Sequence, residues 1–199
     1  MFNFEANNKK IIMAKIKVIQ QQEATGRLKE IYDELITKRG KLAEVHKIQS
    51  LRPESIVKHI DLYMEIMFSK SELTRAEREM LAVVVSEANN CRYCQIHHAE
   101  ALKHYWKDQN KVEALRTNYK HIKNELTSKE FALCQFAENA TKNPANELNL
   151  VEKLKQEGFS DAAILDATLV ISYFNFVNRI VLSLGVELEK NNESSGYKY

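Results

Sequence analysis

Residues 74 to 98 read TRAEREMLAVVVSEANNCRYCQIHH, and how this stretch folds decides how the rest is arranged. Thr74 followed three residues later by Glu77 is a capping-box signature, so a helix starts here. Met80 to Val85 is apolar on every face, which suits a helix enclosed by others at the centre of a fold. Asn89 and Asn90 interrupt it. A new helix begins at about Cys91 and continues through Ile96, Ala99, Leu102 and Tyr105. Two helices separated by so short a break fold back as an antiparallel hairpin with Cys91 and Cys94 at its tip.

Helical periodicity continues on both sides. Upstream, Thr25 is placed to cap an amphipathic helix with Leu28, Ile31, Tyr32, Leu35 and Ile36 on one stripe, ended by Gly40. Lys41 to Gln49 reads as a short helical piece or connector, and Pro53 opens a helix carrying Ile56, Val57, Ile60, Tyr63, Met64, Met67 and Phe68. Downstream, a polar helix covers about Asp108 to Lys123. Thr127 and Glu130 cap the next, which carries Phe131, Cys134, Phe136 and Ala137 and ends before Asn143-Pro144. A short helix around Leu150, Val151 and Leu154 closes at Gly158, and Ser160 opens the longest, through Ile164, Phe174 and Leu184 to Gly185.

Five glycines and two prolines in 199 residues leave little turn chemistry for sheet hairpins, so the expected class is all-α. The length fits one domain, with neither internal repeat nor linker. A single helical domain over 16–190 is expected, preceded by a weakly ordered arm at 1–15 and followed by a disordered tail at 191–199. Met13 is a possible alternative start. A net charge of +2 gives no electrostatic footprint for nucleic acid or an anionic membrane, so neither is expected as a partner. Three cysteines cannot close a disulfide framework, and the apolar run Ile11 to Ala14 is too short for a signal peptide. A cytoplasmic location follows, where a Cys-x-x-Cys pair serves catalysis or metal binding more often than structure.

Several kinds of Cys-x-x-Cys site can be set aside. No strand precedes the pair, which removes a thioredoxin-like fold, and Gln95 stands where a c-type haem needs histidine. Zinc could draw on Cys91, Cys94 and His97 or His98, but a structural site needs four ligands and no second pair stands in the chain. No metal and no cofactor is therefore expected. As a redox dithiol, both sulfurs sit in the first turn of a helix, where free N–H groups and the helix dipole favour the thiolate. Cys94 and His98 are four residues apart on one helical face, so His98 is the proton-transfer candidate, whereas His97 points about 100° away. Across the hairpin, Glu79 lies at nearly the level of His98 and is one candidate to orient it. Glu87, nearer the cysteines in sequence, is the other.

The spacing Glu-x11-Cys-x-x-Cys-x-x-x-His, together with the segments RAEREMLAVVVSEANNCRYCQIHHAEAL and YFNFVNRIVLSLGVELE, resembles the AhpD-like members of the carboxymuconolactone decarboxylase superfamily, in the branch called uncharacterised peroxidase-related enzymes. The resemblance covers about residues 16 to 190. It implies an AhpD-like helical domain that forms trimers or hexamers, and a thiol-dependent hydroperoxide reductase, a peroxiredoxin-type antioxidant activity. By position, Cys94 would be the peroxidatic thiolate, Cys91 the resolving cysteine, and Glu79 and His98 the proton relay. Tyr93 stands where AhpD proper has histidine, and a phenol is a poor base. The implied cycle ends in a Cys91–Cys94 disulfide. Without a Gly-rich flavin or nicotinamide motif, its reductant would be an outside dithiol protein, lipoyl- or thioredoxin-like. Rival readings are a non-enzymatic redox- or zinc-sensing stress protein and a carboxymuconolactone decarboxylase-like enzyme.

Other reactive residue types carry no such pattern. His59, His97, His104 and His121 are read as surface or packing residues. Cys134 is read as core, and Tyr173, Phe174 and Phe176 as core or subunit interface.

Overall fold

The computed structural model describes residues 14–145 and 149–189. The helices are α1 (Gly26–Arg39), α2 (Glu44–Lys47), α3 (Pro53–Phe68), α4 (Arg75–Ala88), α5 (Arg92–Trp106), α6 (Gln109–Asn118), α7 (Ser128–Lys142), α8 (Leu150–Gln156) and α9 (Asp161–Leu184). The described residues contain no strand. The polar segment after Asp108 divides into α6 and a 3-10 helix at Tyr119–Glu125, with Ile122 out of helical geometry. Of the expected arm, residues 1–13 lie outside the described residues, and Lys15 donates its backbone N–H to the Leu184 carbonyl at 2.8 Å. The expected tail also lies outside them.

The all-apolar run of α4 does what its pattern requires. Met80 to Val85 are buried, with α5, α6, α7 and α9 packed around them. On α9, Ala163, Ala167, Val170, Ile171, Phe174, Val177 and Val181 form the facing stripe. A second, smaller cluster joins α1 to α3 through Leu28, Ile31, Tyr32, Leu35 and Ile56. The long helix α9 has the length and hydropathy of a membrane span, but its apolar stripe serves as a wall of the main core.

The turn between α4 and α5 fixes where the cysteines sit. Asn90 takes a left-handed φ of 56°, a conformation asparagine tolerates better than most side chains. The Cys91 N–H then bonds the Ser86 carbonyl and the Asn90 N–H bonds that of Glu87, which together make a Schellman ending for α4. Asn89 ties the tip to α9 by donating to the side-chain oxygens of Asn175 and Asn178, both at 3.0 Å.

The start of α4 is secured by the capping box. Thr74 Oγ1 accepts from the Glu77 N–H, and Glu77 Oε2 accepts from the Thr74 N–H at 2.7 Å. Thr74→Ala is expected to cost about 1 kcal/mol. That corresponds to a melting temperature lowered by about 2–4 °C, readable by calorimetry, and an unchanged value would show that packing alone holds this end.

Candidate active site

Cys91 caps the N-terminus of α5 and Cys94 lies in its first turn. Both are free thiols and both are buried. They are hydrogen-bonded to one another. That bond lowers the Cys91 pKa below the usual thiol value against the effect of burial, while the same bond, with burial, raises Cys94 well above it. Of the two thiols Cys91 is thus the easier to ionise within the pair, and Cys94 becomes a thiolate only when a base takes its proton. Asn178, buried on α9, offers Cys94 a hydrogen bond that favours the charged sulfur.

The base is at hand. Glu79 on α4 is fully buried, and its two carboxylate oxygens are each claimed: Oε1 by Arg75 Nη2 at 2.6 Å and Oε2 by His98 Nδ1 at 2.6 Å. An ionised carboxylate can only accept, so His98 carries a hydrogen on Nδ1, and the neutral tautomer this selects is the one with its lone pair on Nε2. Glu79 and Arg75 are four residues apart, so the ion pair and the histidine contact coexist on one carboxylate. The Arg75 guanidinium lies over the Phe68 ring at 3.6 Å from its centroid, which seals this side from water.

Cys94 and His98 open on a cavity of about 70 Å³, and Cys91 lies behind its wall. Rings make up most of the lining: His46, His59, Tyr63, Tyr173 and Phe174, with Arg39 at one side. At roughly 10–15 Å³ per water, the space takes some five to seven water-sized groups. Burial pushes His46 down to about 3 and His59 to about 4, so both are neutral. Burial pushes Tyr63 up to about 12. A larger groove between α1 and α3, about 430 Å³, is lined by Ile31, Leu35, Val57, Ile60 and Met64 with Glu34, Lys38 and Asp61, and contains no thiol.

A second carboxylate stands on the other side of the dithiol. Glu189, past the end of α9, accepts from Tyr93 Oη at 2.8 Å, from His97 Nε2 at 2.9 Å and from the Glu44 N–H at 3.3 Å. Burial raises its pKa, but the His97 hydrogen bond and charge more than offset this and hold it at about 2. Tyr93 thus spends its hydroxyl hydrogen on Glu189 and acts as a strut between α5 and the segment after α9.

Of the residues singled out from sequence, Cys91, Cys94, His98 and Glu79 meet at one place, with Tyr93 beside them. Glu87 does not line the cavity; burial raises its pKa, and its charged neighbours are Lys142, Glu138 and Lys120. Cys134 is fully buried in the core, with its thiol pKa raised. His59 and His97, read as surface or packing residues, are both buried; both line the cavity, and His97 also holds Glu189. Tyr173 and Phe174 are cavity walls as well as core. Glu189 lies too far along the chain for any spacing rule to find. Asn178 left a readable sign, a polar residue on the stripe that buries Phe174, Val177 and Val181.

A hairpin that buries a Cys-x-x-Cys pair against a carboxylate-held histidine, inside a wholly helical shell, defines the class of AhpD-like folds. In sequence, the carboxymuconolactone decarboxylase family model matches residues 56–119, the stretch that holds Glu79, both cysteines and His98. An uncharacterised peroxidase-related protein from Ralstonia eutropha JMP134, the AhpD core, superposes with a TM-score of 0.79 at 24% identity, over 91% of this chain and 94% of that one. Another, from Silicibacter sp. TM1040, gives 0.76 at 26% identity, over 87% and 92%. The debrominase Bmp8 gives 0.73 at 18% identity, over 89% and 95%, as a cysteine-to-alanine variant in complex with 2,3,4-tribromopyrrole. No curated protein matches in sequence. The chain therefore has an AhpD-like fold, and the solved structures it resembles include peroxidase-related proteins.

The two neutral histidines set a pH dependence. Free histidine titrates near 6.5, so as pH falls below that value the unfolded chain takes up protons that His46 and His59 refuse in the fold. Stability is full above about 6.5 and declines below it. The melting temperature is expected to drop between pH 7.5 and 5, above the range where carboxylates contribute, and His46→Leu should shrink the drop. A flat profile in the wild type would contradict the neutral assignment.

Proposed function

We propose that the protein is a thiol-dependent hydroperoxide reductase that cycles between a Cys91/Cys94 dithiol and a disulfide. The observation that carries this reading is the position of Cys94: it faces a small cavity, with Cys91 hydrogen-bonded behind it and the His98–Glu79 pair beside it. His98 Nε2 takes the Cys94 proton, and Glu79 steadies the imidazolium. The thiolate attacks the terminal oxygen of R–O–OH. A sulfur–oxygen bond forms, the O–O bond breaks, the sulfur is oxidised by two electrons, and RO⁻ leaves and is protonated to ROH. Cys91 then attacks the sulfenic sulfur: the S–S bond forms, the S–O bond breaks, and the departing hydroxide leaves as water with the proton that the Cys91 thiol gives up. An external dithiol, lipoyl- or thioredoxin-like, restores both thiols.

The cavity volume supports a compact hydroperoxide over a larger substrate. The same soft nucleophile can attack a halogen on an electron-rich ring, and the aromatic walls favour such a guest. Leu165, Leu169 and Phe176 are exposed on one face of α9 and supply the apolar contact for the proposed homo-oligomer. The cytoplasm is the compartment proposed, because dithiol reductants are maintained there.

Free thiols counted before and after one equivalent of tert-butyl hydroperoxide test the reading. The wild type is expected to lose two of its three thiols, and Cys94→Ser none by the disulfide route. Unchanged thiols in the wild type would overturn it.

A further inference from the structure

Two cavity-lining residues, His59 and Tyr173, form with Gln49 a chain of three side chains whose hydrogens can be placed one by one. Gln49 Nε2 lies 2.9 Å from the Val45 carbonyl and 2.7 Å from His59 Nδ1. The contact to Val45 fixes the amide, because the flipped amide would set two carbonyl oxygens against each other. The Gln49 amide therefore donates to His59 Nδ1, which must be the bare nitrogen, and His59 carries its single hydrogen on Nε2. That nitrogen lies 2.7 Å from Tyr173 Oη, so Tyr173 accepts from His59. Its own hydrogen is turned away from the histidine. Tyr173 lines the same cavity as Cys94 and His98, and Cys94 is among the ionisable neighbours that act on its hydroxyl.

We propose that Tyr173 is a catalytic hydrogen-bond donor to the leaving oxygen of the substrate, and that Gln49 and His59 are positioning residues that aim it. The proposal rests on the peroxidase reading and deepens it. As the O–O bond breaks, charge collects on RO⁻, and a fixed donor in a water-poor pocket stabilises that charge with no reorganisation at the moment of reaction. His98, holding the proton taken from Cys94, completes the alcohol. The three residues come from three elements, the stretch after α2, α3 and α9. With burial holding the Tyr173 pKa well above its usual value, the donor stays protonated at every working pH. The substrate class this favours is a compact alkyl hydroperoxide, whose alkoxide is a poor leaving group.

The test compares oxidants that differ in leaving group. Single-turnover loss of thiols is followed with tert-butyl hydroperoxide, which expels an alkoxide, and with peracetic acid, which expels a stable carboxylate. Tyr173→Phe is expected to slow the first by about 10²-fold. It should slow the second by no more than about threefold, since acetate needs no donor. Gln49→Glu keeps Tyr173 but reverses the chain: a carboxylate accepts from His59 Nδ1, His59 Nε2 becomes an acceptor, and Tyr173 turns its hydrogen outward. It should reproduce the same selective loss. Equal slowing of both oxidants in Tyr173→Phe would reduce Tyr173 to a packing residue and overturn the proposal. A Gln49→Glu protein with wild-type rates on both would overturn the aiming chain. A wild type inert to both oxidants would instead overturn the peroxidase reading beneath it.

Discussion

A carboxylate with no solvent exposure sits near the centre of a helical protein, and much of the molecule is arranged to make that tolerable. Glu79 would cost several kcal/mol to bury alone. Arg75 covers one oxygen from the preceding turn of α4, and His98 covers the other from α5. Both partners are needed, and they come from the two arms of one hairpin, so the hairpin must close tightly and in one register. The Asn90 turn provides that register, and Asn89 fastens the turn to α9. The interaction that stabilises the carboxylate thus also sets the tautomer of the histidine.

The site is nearly symmetric in its logic. Glu79 holds His98 on one side of α5, and Glu189 holds His97 and Tyr93 on the other. The two neighbouring histidines, about 100° apart on a helix, are sent to different tasks by different carboxylates. One keeps a lone pair for the cavity. The other fastens the segment after α9 over the start of α5. The same division separates the tyrosines: Tyr93 donates outward to Glu189, and Tyr173 accepts from His59 and donates inward.

The helices were legible in the sequence because their ends are chemically marked: Thr74, Thr127 and Ser160 at starts, Gly40 and Gly185 at stops. The hairpin core of the site was legible for the same kind of reason, since residues four apart on one helix, or equidistant from one turn, meet by geometry alone. What escaped was set by long-range packing. His59 and Tyr173 are 114 positions apart, and His97 and Glu189 are 92 apart. No local pattern announces such pairs, and a histidine on a helix looks the same whether it faces water or a cavity. Glu87 failed as a candidate for the complementary reason: nearness in sequence at a helix end says little about which face a side chain takes.

Cys91 and Cys94 are 0% and 2% exposed. In the proposed cycle this burial treats the two half-reactions unequally. A peroxide of a few atoms can reach Cys94 from the cavity that it lines. A dithiol protein must bring its own sulfur into line with the disulfide, which the burial of both cysteines opposes until the surrounding shell moves. Oxidation is then limited by encounter and reduction by breathing of the shell, so the enzyme would accumulate as its disulfide when oxidant is plentiful, a stored record of exposure that clears only as fast as the shell opens.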